Sequence, residues 1–162
     1  MEGSRPATAE DVPRIAELAK LARDELVPMK GGALWAAREA VAEPFAETYG
    51  ALVERDDALV LVGTVDETVV GFGVVTLERL RNGETLGRIL DLFVEPGARS
   101  VGVGEAMADD IVAFCGTRQC TGIDAVALPG HRATKNFFEE SGFTARALVM
   151  HRALHRSESE PD

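Results

Sequence analysis

The chain is poor in cysteine, in aromatic residues and in positive charge. It holds two cysteines, one tryptophan and one tyrosine among 162 residues, and aromatics make up 6% of the whole. Cys115 and Cys120 have no second pair and no histidine cluster beside them. That spacing argues against a zinc site and leaves two reduced thiols as the expectation, with a disulfide across the short loop still open. Lys and Arg number 17 against 27 acidic residues, a formal net charge of −10. A nucleic-acid binder needs a basic face to meet phosphates, so no nucleic-acid partner is expected. An acidic surface attracts cationic partners such as amines, and it also serves plain solubility. No stretch approaches the roughly 20 apolar residues of a membrane span. Met1–Pro6 carries no apolar core of an export signal. The expectations are no membrane partner and a cytoplasmic location.

What is present is an ordinary core-forming chain. Hydrophobic residues make up 46%, enough for one domain, expected over residues 4–155 with a polar, disordered tail at 156–162. Arg5-Pro6-Ala7 reads as a short edge strand. Thr8 and Asp11 can cap a helix, and Val12, Ile15, Leu18, Ala19, Ala22 and Leu26 follow at helical spacing. Trp35 to about Arg55 reads as a second helix, with an interruption expected before Pro44. Ala58–Gly63 and Val69–Leu77, joined through Val65-Asp66-Glu67-Thr68, predict a hairpin. Gly87–Val94 is a further strand, stopped at Glu95-Pro96-Gly97. A helix burying Val103, Met107, Ile111 and Phe114 follows, then a strand at Gly122–Leu128. A helix at Arg132–Glu140 is capped by Gly142, and Phe143–Leu154 gives one or two closing strands. The order is α+β around a mostly antiparallel sheet, with a strand–helix–strand crossover from Gly87 to Leu128.

The chemistry concentrates at Arg99-Ser100-Val101-Gly102-Val103-Gly104, between a strand and a helix. The first turn of a helix has unpaired N–H groups and a positive dipole end. Glycine lets an anion approach that backbone with no Cβ in the way, and Arg99 can add a charge-assisted contact. The segment suits a phosphate group. No Gly-Lys-Ser/Thr follows, so it is not a Walker loop, and the spacing after Gly104 is wrong for G-x-G-x-x-G. Alone, the hexamer is equally readable as a helix start beside a surface arginine.

With its surroundings, the chain resembles the GNAT superfamily of acetyl-CoA-dependent N-acetyltransferases. That family's strand-then-R/Q-x-x-G-x-G/A motif is matched by Leu92-Phe93-Val94-Glu95-Pro96 followed by Arg99, Gly102 and Gly104. Arg5–Asp11 is similar to its opening strand and helix, and Val69–Gly73 to its central hairpin strand. Ala133-x-x-x-Phe137-Phe138-Glu139-x-x-Gly142-Phe143 is similar to its late helix. The resemblance implies a single-domain GNAT-like fold, a mixed, mostly antiparallel sheet with splayed parallel central strands, flanked by helices. It further implies that pantetheine lies in the split along Leu92, Phe93 and Val94, like an added strand. The pyrophosphate would rest on Arg99, Ser100, Val101, Gly102, Val103 and Gly104. No metal is implied, and a homodimer is a common assembly that no residue here demands. The chemistry implied is direct attack of a primary amine, on a small molecule or on a protein or peptide, at the thioester.

Two departures from the family stand out. A tyrosine often placed on the late helix to protonate the thiolate is Phe138 here, and the asparagine expected earlier, contacting the cofactor, is His131. Either water or another group supplies that proton, or the domain binds acyl-CoA without turnover. Asp91 is the only carboxylate inside the motif strand and the first candidate for the general base. Simple alternation puts it on a face with Phe93, while Leu90, Leu92 and Val94 take the other, and a buried structural role is the competing reading. Glu39, Glu43 and Glu47 recur every four residues and would form an acidic rim for a cationic amine, or a solvated helix face.

Overall fold

The computed structural model describes residues 1–155. Strand β1 (Glu2–Pro6) begins earlier than Arg5 and lies at the sheet edge, antiparallel to β2 (Ala58–Val65). Its proline is tolerated because an edge strand leaves one row of backbone groups unpaired. The cap after it forms as the sequence requires. Asp11 accepts a hydrogen bond from the Thr8 N–H at 2.9 Å and is gripped by both Arg5 guanidinium nitrogens at 2.8 and 3.0 Å. That contact holds the Asp11 carboxyl below the usual range. Helix α1 (Val12–Leu26) then buries Val12, Ile15, Leu18, Ala19 and Ala22 on one face.

The long second helix is instead two short ones, α2 (Gly32–Arg38) and α3 (Phe45–Val53). Pro44 carries no N–H and starts α3 from extended backbone, behind a cis Glu43–Pro44 bond. Glu39, Glu43 and Glu47 therefore share no helix face.

Strands β2 and β3 (Thr68–Arg79) form the hairpin, closed by Asp66 and Glu67 at positive φ of 47° and 71°. That conformation at both turn residues matches the right-handed twist of the flanking strands. Strand β4 (Thr85–Val94) pairs antiparallel with β3, with a bulge where Val74 faces Asp91 and Val75 faces Ile89. Leu90 is the extra residue, and it corrects the expected alternation. Leu90 packs with Phe93 on the α1–α3 side, while Ile89, Leu92 and Val94 pack on the other. Such a bulge adds one residue to one strand and re-aims its side chains.

Helix α4 (Val103–Thr117) crosses from β4 to β5 (Gly122–Asp124), giving the sheet order β1-β2-β3-β4-β5. Two hydrophobic clusters sandwich the sheet. One joins Ile15, Leu18, Tyr49, Val62, Phe72 and Phe93 under α1 and α3, and the other joins Leu61, Val75, Val103, Met107 and Ile111 under α4. Each fully buried aliphatic side chain contributes roughly 1.5–3 kcal/mol.

The parallel pairing of β5 with β4 covers only Leu86–Arg88 against Gly122–Asp124. Helix α5 (Arg132–Glu140) ends at Gly142, whose φ of +93° makes the left-handed cap. Two expectations change here. The strand expected over Gly122–Leu128 stops at Asp124, and among the described residues no closing strand forms in 143–154. The parallel pair consequently borders the sheet edge instead of its centre. A ladder needs a partner, and Leu148, Val149 and Met150 are 83–90% exposed. The tail expected at 156–162 lies outside the described residues.

Candidate active site

Strand β4 and α4 are joined by a short 3-10 turn, Pro96–Ala98, and then by residues in unusual backbone conformations. Ser100 has φ +69° and Gly102, the N-cap of α4, has φ +92°. Left-handed residues thus stand on either side of Val101, and backbone turns of that kind build anion-binding concavities. Among the described residues the N–H groups of Ser100 through Glu105 donate to no backbone carbonyl, whereas that of Ala106 reaches Gly102 O at 3.0 Å. The free donors and the helix dipole act at the same place. A Cβ on Gly102 would lie 3.2 Å from Glu2 Cγ, and the positive φ strains any side chain there.

The turn is tied to α1 by ion pairs. Arg14 bonds Glu95 at 3.0 Å, and Arg99 bonds Glu25 at 3.0 Å. Arg99 also donates from Nε to Val94 O at 2.8 Å and stacks over the Phe93 ring at 5.5 Å. The guanidinium therefore braces the turn through those donors, and an anion would meet its remaining ones.

Beyond Arg88, β4 continues to Val94 with no strand paired on its β5 side, since β5 ends at Asp124. The Glu95 N–H donates to Val70 O on β3. By strand alternation, Leu92 and Val94 turn their backbone groups the other way, toward that unpaired side, while Phe93 faces its β3 neighbour. That unpaired stretch of β4 runs up to the turn that leads into α4.

Asp91 occupies the α1–α3 side of β4, where Tyr49 Oη donates to its Oδ2 at 2.7 Å. Tyr49 is 1% exposed and meets Phe72 edge-on at 5.5 Å. Burial pushes the Asp91 carboxyl up to about 7, against the opposing pull of the Tyr49 hydroxyl and the Arg23 charge. The same burial and the neighbouring carboxylate drive the Tyr49 phenol upward, so it stays protonated and donating. Arg23 is held by Val41 O at 2.6 Å and by the faces of Trp35 and Phe45. Those two rings thus carry an internal cation. Sequence reasoning singled out Asp91 but missed its partner, because Tyr49 reads as core and lies far away along the chain. The signal available was that Tyr49 is the chain's single tyrosine, placed among helical core positions.

Helix α5 approaches the same region through Phe137, whose ring lies 3.3 Å from where a Gly104 Cβ would stand. Phe138 is buried between Phe137 and Phe143, with centroids 5.6 and 5.1 Å away. His131, the N-cap of α5, is bonded through Nδ1 to Thr134 Oγ1. Phe137 is thus the α5 residue brought to the α4 turn, while the His131 ring bonds locally to Thr134. On the opposite side of β4, Glu39, Glu47, Thr48, Arg55 and Leu90 line an open groove of about 500 Å³. Glu39 and Glu47 meet there although they sit on different helices, and Glu43 is not part of the lining.

Among the described residues no three His, Cys, Asp or Glu side chains gather as a metal site, and no helix is long and apolar enough to cross a membrane. Among solved structures, a mutant protein from Bacillus halodurans superposes with a TM-score of 0.78 at 22% identity, over 94% of this chain and 99% of that one. A Trypanosoma brucei acetyltransferase matches with a TM-score of 0.69 at 19% identity, over 95% and 100%. An aminoglycoside acetyltransferase from an uncultured soil metagenomic sample, solved with sisomicin, matches with a TM-score of 0.69 at 16% identity, over 96% and 97%. No curated protein matches the chain. The sequence profile of the acetyltransferase (GNAT) family matches residues 17–143, most of the chain. The α+β sandwich, the short parallel ladder beside β4 and the free helix start are therefore features of a protein that belongs to the acetyltransferase (GNAT) family.

Proposed function

We propose that the protein is an N-acetyltransferase that moves an acetyl group from acetyl-CoA to a primary amine, with a cationic acceptor preferred. The observation that carries this reading is the unpaired end of β4 beyond the short β5 ladder, running into a helix start whose N–H groups donate to no backbone carbonyl among the described residues. Pantetheine would bond along Leu92 and Val94 as an added strand. The pyrophosphate would meet the N–H groups of Ser100 to Gly104, with Arg99 bracing the loop.

Asp91 is the proposed general base. A carboxyl near 7 is ionised often enough at neutral pH to take a proton and basic enough to hold it. It would accept the ammonium proton through one water. The neutral nitrogen then attacks the thioester carbonyl, and the carbon–sulfur bond breaks as the amide forms. Backbone N–H groups at the end of β4 would stabilise the oxyanion. Phe138 has no proton to give, so water protonates the departing thiolate. The acceptor would approach through the groove of Glu39 and Glu47. Similarity of fold to a protein solved with the aminoglycoside sisomicin agrees with a polycationic amine.

The test pairs binding with turnover. Acetyl-CoA should raise the melting temperature through linkage, and free thiol should appear with a panel of polyamines, aminoglycosides, amino acids and peptides. Unchanged melting across a saturating acetyl-CoA titration would sink the proposal. Cationic acceptors should outpace neutral amines, and that preference should weaken in the E39Q/E47Q variant.

A further inference from the structure

Cys115 and Cys120 are free thiols, and the way α4 ends brings them together. The helix stops at Thr117, with Cys115 in its last turn. The Cys120 N–H donates to Cys115 O at 3.0 Å and the Gln119 N–H to Gly116 O at 3.1 Å, with Gln119 left-handed at φ +58°. Those two bonds around a left-handed residue make a Schellman closure, which sets the side chains at its first and last positions in contact. Here both positions are cysteine, and Cys120 packs against the cluster that buries Cys115.

The two thiols differ in access. Cys115 is 2% exposed, while Cys120 is half-buried. Burial pushes the Cys115 thiol up to about 12, and the adjacent Cys120 thiol pushes it the same way. A buried, protonated thiol is a poor nucleophile, so reaction with a molecule from outside starts at Cys120. Cys115 Sγ is seated against β4, 2.7 Å from where a Gly87 Cβ would stand. Gly87 is the register partner of Ile123 in β5, and the Thr121 N–H donates to Thr85 O at 2.8 Å. The thiol pair therefore stands where α4, β4 and β5 meet, beside the short parallel ladder.

We propose that Cys115 and Cys120 are a redox-modification site, closing reversibly into a disulfide that fastens the end of α4 to the start of β5. The oxidant is a low-molecular-weight disulfide. The Cys120 thiolate attacks one of its sulfurs, forming a mixed disulfide and releasing the first small thiol, which carries off the Cys120 proton. The Cys115 sulfur then attacks the Cys120 sulfur, the mixed bond breaks, and the Cys115 proton leaves on the second small thiol. Two protein thiols are oxidised and one external disulfide is reduced to two thiols, so electrons and protons balance. An excess of small thiol runs the same steps backward. The helix closure holds both partners in place, so the fold itself favours the bond.

The experiment incubates the full chain with oxidised glutathione, counts thiols by alkylation and reads the intact mass. The wild type should lose both alkylatable thiols, become lighter by two hydrogens and carry no adduct. Digestion should yield a peptide linked through Cys115 and Cys120, and excess reduced glutathione should restore both thiols. C115A should stop at the mixed disulfide and keep one glutathione on Cys120. C120S should leave Cys115 unmodified roughly ten times longer than the wild type leaves Cys120. Closure should be about tenfold more favourable in native buffer than in urea, because the fold supplies the effective concentration. In the oxidised protein the amides of residues 121–124 should exchange about tenfold more slowly. A wild type that keeps both thiols, or that holds glutathione without closing, overturns the proposal. So does closure no more favourable in native buffer than in urea, or exchange at 121–124 that oxidation leaves unchanged.

Discussion

The two faces of β4 share one backbone but lie in opposite surroundings. Toward α4, Ile89, Leu92 and Val94 meet Val103, Met107 and Ile111, all hydrocarbon and sulfur. Toward α1 and α3, Phe93 and Leu90 flank a carboxyl whose partner is a buried phenol, with an arginine charge nearby. Placing a carboxyl against a core costs stability, and burial raises the Asp91 carboxyl to about 7 in keeping with that cost. A strand whose two faces differ in this way keeps one for packing, and the other is the one on which the proposed base stands.

The largest expected effect comes from removing the carboxylate. D91N keeps the size of the side chain and its contact with Tyr49 but cannot take a proton. Turnover should fall by about 10²–10⁴-fold, the range of a lost general base, and the rise of kcat/KM with pH near 7 should disappear. A D91N profile that retains this rise would assign the base to another group. Stability should move oppositely. The folded pKa of about 7 lies above the unfolded carboxylate value. The native state therefore holds its proton more tightly, and stability is lost as pH rises through the folded value. Melting curves from about pH 4 to about pH 8 should show wild type losing ground to D91N and then levelling.

On the other face, M107A should act through packing alone. Met107 is fully buried beside Gly63 and Gly71, so its truncation should cost about 2–5 kcal/mol in chemical denaturation. The pH profile of the surviving activity should match wild type. A shifted profile would show that the two faces are coupled.

How much of this was legible in the sequence follows the same division. The turn at Ser100–Gly104 was readable because its parts are neighbours along the chain: a strand, two glycines one residue apart and a helix start. The Thr8–Asp11 contact ahead of α1 and the left-handed Gly142 after α5 were local in the same sense. The Tyr49–Asp91 contact joins distant residues through a bulge, and strict alternation misplaced Leu90 because a one-residue bulge leaves no mark in hydropathy. The break between α2 and α3 was signalled by Pro44, but the meeting of Glu39 and Glu47 across it was not. The closing strands expected over Phe143–Leu154 do not form among the described residues, because pairing depends on a partner edge that no local pattern specifies.

G102V sharpens the local half. At φ +92° a β-branched side chain is strained by roughly 1–3 kcal/mol, and its Cβ would meet Glu2. A folded G102V protein should lose the melting shift with acetyl-CoA while keeping the raised Asp91 titration. Normal acetyl-CoA binding by a folded variant would place the pyrophosphate elsewhere.

Y49F gives the smallest expected effect and the sharpest test of the polar face. The ring and its edge-on contact with Phe72 remain, and only the hydrogen bond to Asp91 is lost. That bond lowers the Asp91 pKa, so its removal lets burial push the carboxyl higher. The rising limb of kcat/KM should move to higher pH, with activity down a few-fold near neutrality and recovering in alkaline buffer. Stability should fall by about 1 kcal/mol, the net worth of a typical hydrogen bond. A simple packing role for Tyr49 predicts an unmoved pH profile. The shift, more than any loss of rate, would identify Tyr49 as the residue that positions and tunes the base.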